Sequence, residues 1–276
     1  MRTILITGAS DGIGAAASRQ LAGPATRLIL IGRSPEKTQA IAAETGSEYH
    51  VADFTKLDDV RKLAAALLRD CDRIDVLANN AGGMFSGPTR TVDGFEKTFQ
   101  VNHLAPYLLT HLLLDRLLAS RAAVVNTSSI GARLFGRIDL DDIQTWNGYR
   151  PNGAYGNAKL ANILFAKALH ERFHDEGLSS VAFHPGNVAT SFASDTSSYF
   201  RWVYHGILSR FLISPERGGA NLAHFIEGTP DIAWTSGAYY NDRRKIGHTN
   251  KQAADPTIVH EHWERSAQLL DITWCR

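Results

Sequence analysis

Cysteine is scarce in this chain. Cys71 and Cys275 are the two in 276 residues, too few for a disulfide framework and suited to a reducing compartment. Proline is sparse as well, at nine residues. None of it gathers with serine into a linker, and no low-complexity run or internal repeat divides the chain. An excess of one charge is missing: 29 Lys and Arg face 28 Asp and Glu, and the formal net charge is +1. That balance argues against a nucleic-acid partner. No apolar run is long enough to span a bilayer, so no transmembrane segment is expected. The opening MRTILITG meets glycine too early for a signal peptide, which makes a cytoplasmic location the expectation. What the chain has is hydrophobic content, 44%, enough for one α/β domain with a full core over residues 1–276.

Short β-branched runs alternate with helical stretches, the pattern of a parallel sheet covered on both faces. Strands are expected at Thr3–Thr7, Arg27–Ile31, Glu48–Val51, Ile74–Ala78, Ala122–Thr127, Ser180–Phe183 and Gly237–Tyr240, giving a seven-stranded, mostly parallel, doubly wound Rossmann sheet. Helices are expected at Ala15–Leu21, Pro35–Glu44, Leu57–Leu68, Val92–Leu118, Asn152–Phe173, Pro215–Glu227 and Pro256–Leu269. In such sheets ligands lie beyond the carboxyl ends of the strands, and several notable turns fall on that one rim.

The first is Gly8-Ala-Ser10-Asp11-Gly12-Ile13-Gly14, between strand and helix. Glycines let the backbone approach a pyrophosphate, and the helix N-terminus offers free N–H groups. The bland alternative is a turn serving only backbone geometry. At the second strand's end stand Gly32 and Arg33, with no acid. An acid there would bind the 2′-OH of NAD, whereas an arginine accommodates the 2′-phosphate of NADP. NADP is thus the expected cofactor and NAD the second choice, although Arg33 could be a solvated surface residue and Asp11 adds a negative charge nearby. Asp53 and Phe54 close the third strand. They either meet the adenine or, in the case of Asp53, cap the next helix. Asn79-Asn80-Ala81-Gly82 closes the fourth strand, and Ser128-Ser129 the fifth. A hydroxyl on this rim can stabilise a developing oxyanion. Asn102, in an apolar helix, needs partners and is either structural or part of a site. His103 and His111 read as packing or surface residues.

Tyr155 and Lys159, four residues apart in the 152–173 helix, share one helix face. A nearby cation favours the phenolate and brings a tyrosine's ordinary value of about 10 toward neutrality, so that it can exchange protons at working pH. Alone the pair is a weak signal. His260-Glu261-His262 lacks H-E-x-x-H spacing, and no metal is expected.

Together, Thr7-Gly8-x-x-x-Gly12-Ile13-Gly14, Asn79-Asn80-Ala81-Gly82, Asn102, Ser129, Tyr155-x-x-x-Lys159 and His184-Pro185-Gly186-Asn187-Val188-Ala189-Thr190 resemble the short-chain dehydrogenase/reductase family. The likeness runs in order along nearly the whole chain. The runs Lys159–Ile163, Ser214–Gly219 and Trp263–Ser266, and the long link before Tyr155, are similar to its retinol dehydrogenase and protochlorophyllide reductase-like branch. The resemblance implies an oxidoreductase with a cofactor-holding half over 1–130. It implies Tyr155 as general acid/base, Lys159 as its partner on the nicotinamide ribose, Ser129 on the substrate oxygen and Asn102 on a relay water. Gly8, Ser10, Asp11, Gly12, Ile13, Gly14, Arg33, Asp53, Phe54, Asn80, Ala81, Gly82, Tyr155, Lys159, Pro185, Val188 and Thr190 would line the cofactor. Some NADP-preferring relatives carry a basic residue where this chain has Asp11. The family often dimerises through the helices bearing Asn102 and Tyr155, so a homodimer is a candidate. The aromatic segment 199–213 is a substrate lid, core packing or a membrane-surface contact. As a lid it would suit a bulky apolar alcohol or carbonyl. The competing readings are a catalytically silent NAD(P)-binding scaffold and a sugar-nucleotide epimerase, the latter disfavoured by chain length and glycine spacing.

Overall fold

The computed structural model describes residues 1–187 and 213–274. Within them the strands β1 (Arg2–Thr7), β2 (Thr26–Gly32), β3 (Glu48–Val51), β4 (Val76–Asn79), β5 (Ala123–Thr127), β6 (Ser179–Phe183) and β7 (Tyr239–Tyr240) form one sheet. Its order is β3-β2-β1-β4-β5-β6-β7, and every pairing is parallel. The sheet is thus wholly rather than mostly parallel among the described residues. The order reverses between β1 and β4, the switch point at which this architecture opens a crevice.

Alternation along each strand feeds two cores. Ile4, Ile6, Val76, Ala78, Val125, Val181 and Phe183 face α1 (Gly12–Leu21), α2 (Pro35–Thr45) and the late helix Pro215–Glu227. Leu5, Leu77, Val124 and Ala182 face the opposite layer, which holds α3 (Leu57–Asp70) and the long helix Pro151–Phe173. Gly219 lets the late helix ride against α1: a Cβ there would lie 2.6 Å from Ala16 Cβ.

The expected helix Val92–Leu118 is broken into pieces. Gly94 turns at φ +90°, Glu96 caps the chain by accepting from Phe99 N at 2.7 Å, and helix begins only at α4 (Lys97–Phe99). A π-helical turn, Gln100–Leu104, leads into α5 (Ala105–Leu112). Leu113, at φ −97° and ψ 0°, separates α5 from α6 (Leu114–Ala119). Apolar periodicity runs through all of this, and only the turn and capping chemistry divides it. The link before Tyr155 contains α7 (Gly131–Leu134) and a 3₁₀ turn at Leu140–Asp142. The remaining helices are α8 (Pro151–Phe173), α9 (Pro215–Glu227) and α10 (Pro256–Leu269). Strand β4 starts two residues later than expected, and β7 keeps only the last two of its expected four.

Candidate active site

Thr7, Asn80 and Thr127 tie three strand ends into one rim. The Thr7 hydroxyl donates to Ala78 O at 3.1 Å and accepts from the amides of Asn80 and Ala81, each at 3.0 Å. The Asn80 amide donates to Thr7 O at 3.0 Å, and its oxygen accepts from Thr127 Oγ1 at 3.3 Å. This lacing brings the Asn80–Gly83 turn against the glycine turn. Gly8, at φ +67°, has room for no side chain, since a Cβ would lie 2.8 Å from Ala81 Cα. A Cβ on Gly14 would sit 2.2 Å from Gly8 O. Gly8 and Gly14 therefore leave bare backbone at the turn where α1 begins. Asp11 caps that helix, accepting from Gly12 N at 2.7 Å, and pairs with Lys37 at 3.3 Å. Ser10 lies against Gly32: a Cβ there would be 3.1 Å from Ser10 Oγ. Arg33 follows, exposed. Lys37, which the sequence reading overlooked, adds a second cation at this corner.

At the third strand's end Asp53 accepts from Thr55 N at 3.0 Å. The Phe54 ring departs from expectation: it is 5% exposed and packs into the core. Burying an aromatic ring of this size stabilises the fold more than a place on the wet rim would, so the core holds most of the ring.

Helix α8 carries Tyr155 and Lys159 on its sheet-facing side, both buried, at 8% and 2% exposed. Lys159 Nζ is 5.7 Å from the Tyr155 ring centroid and donates to Thr127 O at 3.2 Å. Burial takes the Lys159 ammonium down to about 7. Ser129 and Tyr155 both border Gly131: Ser129 Oγ accepts from Gly131 N at 3.1 Å, and a Cβ on Gly131 would lie 3.4 Å from Ser129 Oγ and 3.4 Å from the Tyr155 ring carbons. Ser128, by contrast, donates to Lys159 O at 2.7 Å and is buried, so the exposed side of the pair belongs to Ser129. Gly82 packs the other side. A Cβ there would be 2.4 Å from Asn102 Oδ1 and 2.9 Å from Lys159 Nζ.

Asn102 sits in the π turn, a feature often found at functional sites. Its oxygen accepts from Gly83 N at 3.1 Å, and its amide donates to Gly83 O and Thr98 O, each at 2.8 Å. The side chain thus fixes the Asn80–Gly83 turn. Asn162, unassigned from sequence, donates to Thr127 O at 3.1 Å, sharing the Lys159 acceptor. Its signal was a polar residue one turn beyond Lys159 on an otherwise apolar face. Pro185 O is held by Asn221 Nδ2 at 3.0 Å. Val188, Thr190 and the segment 199–213 up to Leu212 lie outside the described residues. Neither His260 nor His262 takes part in the site: Arg172 meets His260 at 3.1 Å, and His262 is buried in the core. Among the described residues no three or more His, Cys, Asp or Glu gather to hold a metal ion, and no helix is long and apolar enough to cross a membrane.

These residues fit a dinucleotide. The turn at α1 has no side chain at Gly8, Gly12 and Gly14, cations stand at the β2 corner, and the buried Lys159 ammonium has donors beyond the one Thr127 O takes. Fold and site define a nucleotide-dependent oxidoreductase. A model of the short chain dehydrogenase family matches residues 2–199, and the chain belongs to that family, within its retinol dehydrogenase-like branch. It is 40% identical to a Streptomyces protein provisionally named daunorubicin C-13 ketoreductase, over 99% of this chain and 93% of that one. It is 34% identical to retinol dehydrogenase 12 of Mus musculus, over 99% and 87%. An uncharacterised protein from Mycobacterium paratuberculosis has a crystal structure that superposes with a TM-score of 0.80 at 29% identity, covering 100% of this chain and 96% of that one. The chain is accordingly an oxidoreductase that moves a hydride between a nicotinamide dinucleotide and an alcohol or carbonyl.

Proposed function

We propose that the chain is a cytoplasmic, NADP(H)-dependent ketone reductase or alcohol dehydrogenase acting on a bulky apolar substrate. The observation that carries this is that the Ser129 hydroxyl and the Tyr155 ring border the same Gly131, with the Lys159 ammonium 5.7 Å from that ring. When bound, the nicotinamide supplies or receives the hydride. Ser129 holds the substrate oxygen by donating to it, which favours the alkoxide-like charge of the transition state. Tyr155 gives that oxygen its proton in reduction and takes it back in oxidation. Lys159 supports the phenolate and would hold the nucleotide's ribose, while Asn102 holds the turn that packs against the lysine.

Cofactor choice rests on the β2 corner. Arg33 is exposed there, and Lys37 offsets Asp11 at 3.3 Å, so the acid the sequence sets against a 2′-phosphate carries its own counter-charge. Substrate class rests on the substrates named for the relatives, daunorubicin and retinol, and on two apolar side chains beside the site. Leu134 and Phe135, the last residue and the C-cap of α7, stay 58% and 48% exposed.

A panel of lipophilic ketones and alcohols with each reduced and oxidised nucleotide, followed at the absorbance of the reduced nicotinamide, tests the reading. Tyr155→Phe should lower turnover at least about a hundredfold while leaving nucleotide binding intact. Retained turnover would remove Tyr155 from the proton step, and activity confined to small polar sugars would overturn the substrate class.

A further inference from the structure

Helix α7 is a single turn, Gly131–Leu134, yet it borders both groups assigned to the proton step. At its start Gly131 N donates to Ser129 Oγ at 3.1 Å, and Ala132 N donates to Ser129 O at 3.1 Å. A Cβ on Gly131 would lie 3.4 Å from the Tyr155 ring carbons. At its end the main chain rests on the residue after Tyr155: a Cβ on Gly156 would be 2.8 Å from Phe135 C, Phe135 Cβ and Gly136 N. The turn thus reaches from Ser129 to the backbone of α8 beside Tyr155, and its placement sets how the hydroxyl stands to the phenol. One bond matters most for the chemistry. A serine oxygen that accepts from a backbone N–H keeps its own hydrogen for another acceptor. The Gly131 amide therefore leaves the Ser129 O–H for a substrate oxygen.

So short a helix does not hold itself in place, and its last carbonyls need partners from outside. Gly131 O takes Phe135 N at 2.9 Å and Gly136 N at 3.2 Å. The carbonyls of Ala132 and Gly136 are met from the far end of the chain. Asn250 Nδ2 donates to Gly136 O at 2.6 Å and to Ala132 O at 3.3 Å. Its Oδ1 accepts from Gln252 N at 3.0 Å, which caps the 3₁₀ turn Lys251–Ala254. Gln252 in turn accepts from Ile138 N and donates to Ile138 O, each at 2.8 Å. From α8, Asn157 accepts from Arg137 N at 2.5 Å. Three side-chain amides therefore hold the main chain from Ala132 to Ile138, and the part that belongs to α7 is held by Asn250.

We propose that Asn250 is a positioning residue for catalysis at Ser129: by bonding the Ala132 and Gly136 carbonyls it docks α7, so that the Gly131 amide stays on Ser129 Oγ and the hydroxyl hydrogen is left for the substrate oxygen beside Tyr155. The proposal rests on the reading of Ser129 and Tyr155 as the working pair.

A double-mutant cycle tests it. Asn250→Asp keeps an oxygen for Gln252 N and replaces the donor that faces the two carbonyls with a second acceptor. With the lipophilic ketone that the wild type reduces fastest, its single-turnover rate of NADPH oxidation should fall about tenfold or more, as misplacement of a reacting group does. NADPH binding in fluorescence titration should be unchanged. In a Ser129→Ala background the same substitution should cost no further rate, because the hydroxyl it misplaces is gone. An unchanged rate in the single variant overturns the proposal. So does an equal loss in both backgrounds, the behaviour of a residue that serves only the fold. Should Asn250→Asp fail to fold, Asn250→Ser retains the cap through its hydroxyl and lets water take the carbonyls. Its loss should be smaller and should likewise disappear in Ser129→Ala; no loss, or a loss that persists there, overturns the proposal. Wild-type turnover in Ser129→Ala alone would overturn it by another route, by removing Ser129 from the reaction.

Discussion

Lys159→Met should make the nucleotide-free protein more stable at pH 7 while abolishing turnover. The ammonium is buried, its ordinary value of 10.5 is brought to about 7, and desolvation is the cause. Because the folded-state value lies below the unfolded one, the unfolded chain holds more protons between pH 7 and about 10.5. Stability therefore rises with pH across that window, and the penalty is fully present below pH 7. A drop of about 3.5 units at about 1.4 kcal/mol each gives a penalty of about 5 kcal/mol at low pH and about 4 kcal/mol at pH 7. Methionine removes that penalty and fills the volume. It also forfeits the bond to Thr127 O, a charged hydrogen bond of about 1.5–3 kcal/mol, but Thr127 O still accepts from Asn162. The net expectation at pH 7 is a gain of about 1–3 kcal/mol. By pH 9 the wild type has recovered about 2 kcal/mol, so the difference should shrink toward zero. Urea unfolding of both proteins at pH 7, 8 and 9 measures this. A Met variant less stable than wild type at pH 7, or a difference that does not close as pH rises, refutes the account of Lys159 as a costly buried cation kept for function.

The β2 corner gives a second expectation. Arg33→Ala should raise KM for NADPH about tenfold or more and leave NADH nearly unchanged, with Lys37→Ala adding to the loss, because a phosphate contact is a charge-assisted bond; equal losses for both nucleotides in steady-state assays would reject it. Gly14→Ala should cost about 1–3 kcal/mol in denaturant unfolding and weaken nucleotide binding in fluorescence titration, since its Cβ would lie 2.2 Å from Gly8 O, a backbone atom with nowhere to go; wild-type binding would show that the turn has slack. The α8 face bears on oligomeric state. α10 covers it, Tyr107 donates to Trp263 O at 2.9 Å, and the Trp263 and Trp274 rings pack 4.3 Å apart. Association through that face should be absent, and analytical ultracentrifugation should show a monomer at micromolar concentration; Trp263→Ala should cost about 3–5 kcal/mol.

The sequence and the structure part company where the information is held by the main chain or by groups far apart in the chain. Parallel strands were legible because fully buried strands are continuous apolar runs, and the rim because its turns contain residues with few other uses, such as Gly8 at φ +67°. Tyr155 and Lys159 were legible through helical spacing, and Ser129 only through resemblance, since nothing in Ser128-Ser129 says which hydroxyl is spent on Lys159 O. Helix boundaries near Glu96 and Leu113 were not legible, because periodicity continues through a cap and a kink. Phe54 read as a ring at a strand end, yet α3 supplies a drier place for it.

Lys159 shows the deeper limit. Spacing predicts a cation that makes a tyrosine acidic, but spacing contains no dielectric. The fold encloses the ammonium so well that burial brings it down to about 7, and its acceptor is a main-chain carbonyl that no side-chain pattern can announce. The charge that Tyr155 needs is therefore weakest in the empty site. Any anionic group that binds within reach of Nζ raises its proton affinity, so ligand binding and the charging of Lys159 are linked by necessity. A dinucleotide should bind with net proton uptake near pH 7, and uptake should fall away as the pH drops well below the Lys159 value. Calorimetry in buffers of different ionisation enthalpy reads this directly; binding without proton uptake at pH 7 would show that the lysine is already fully charged before its partner arrives.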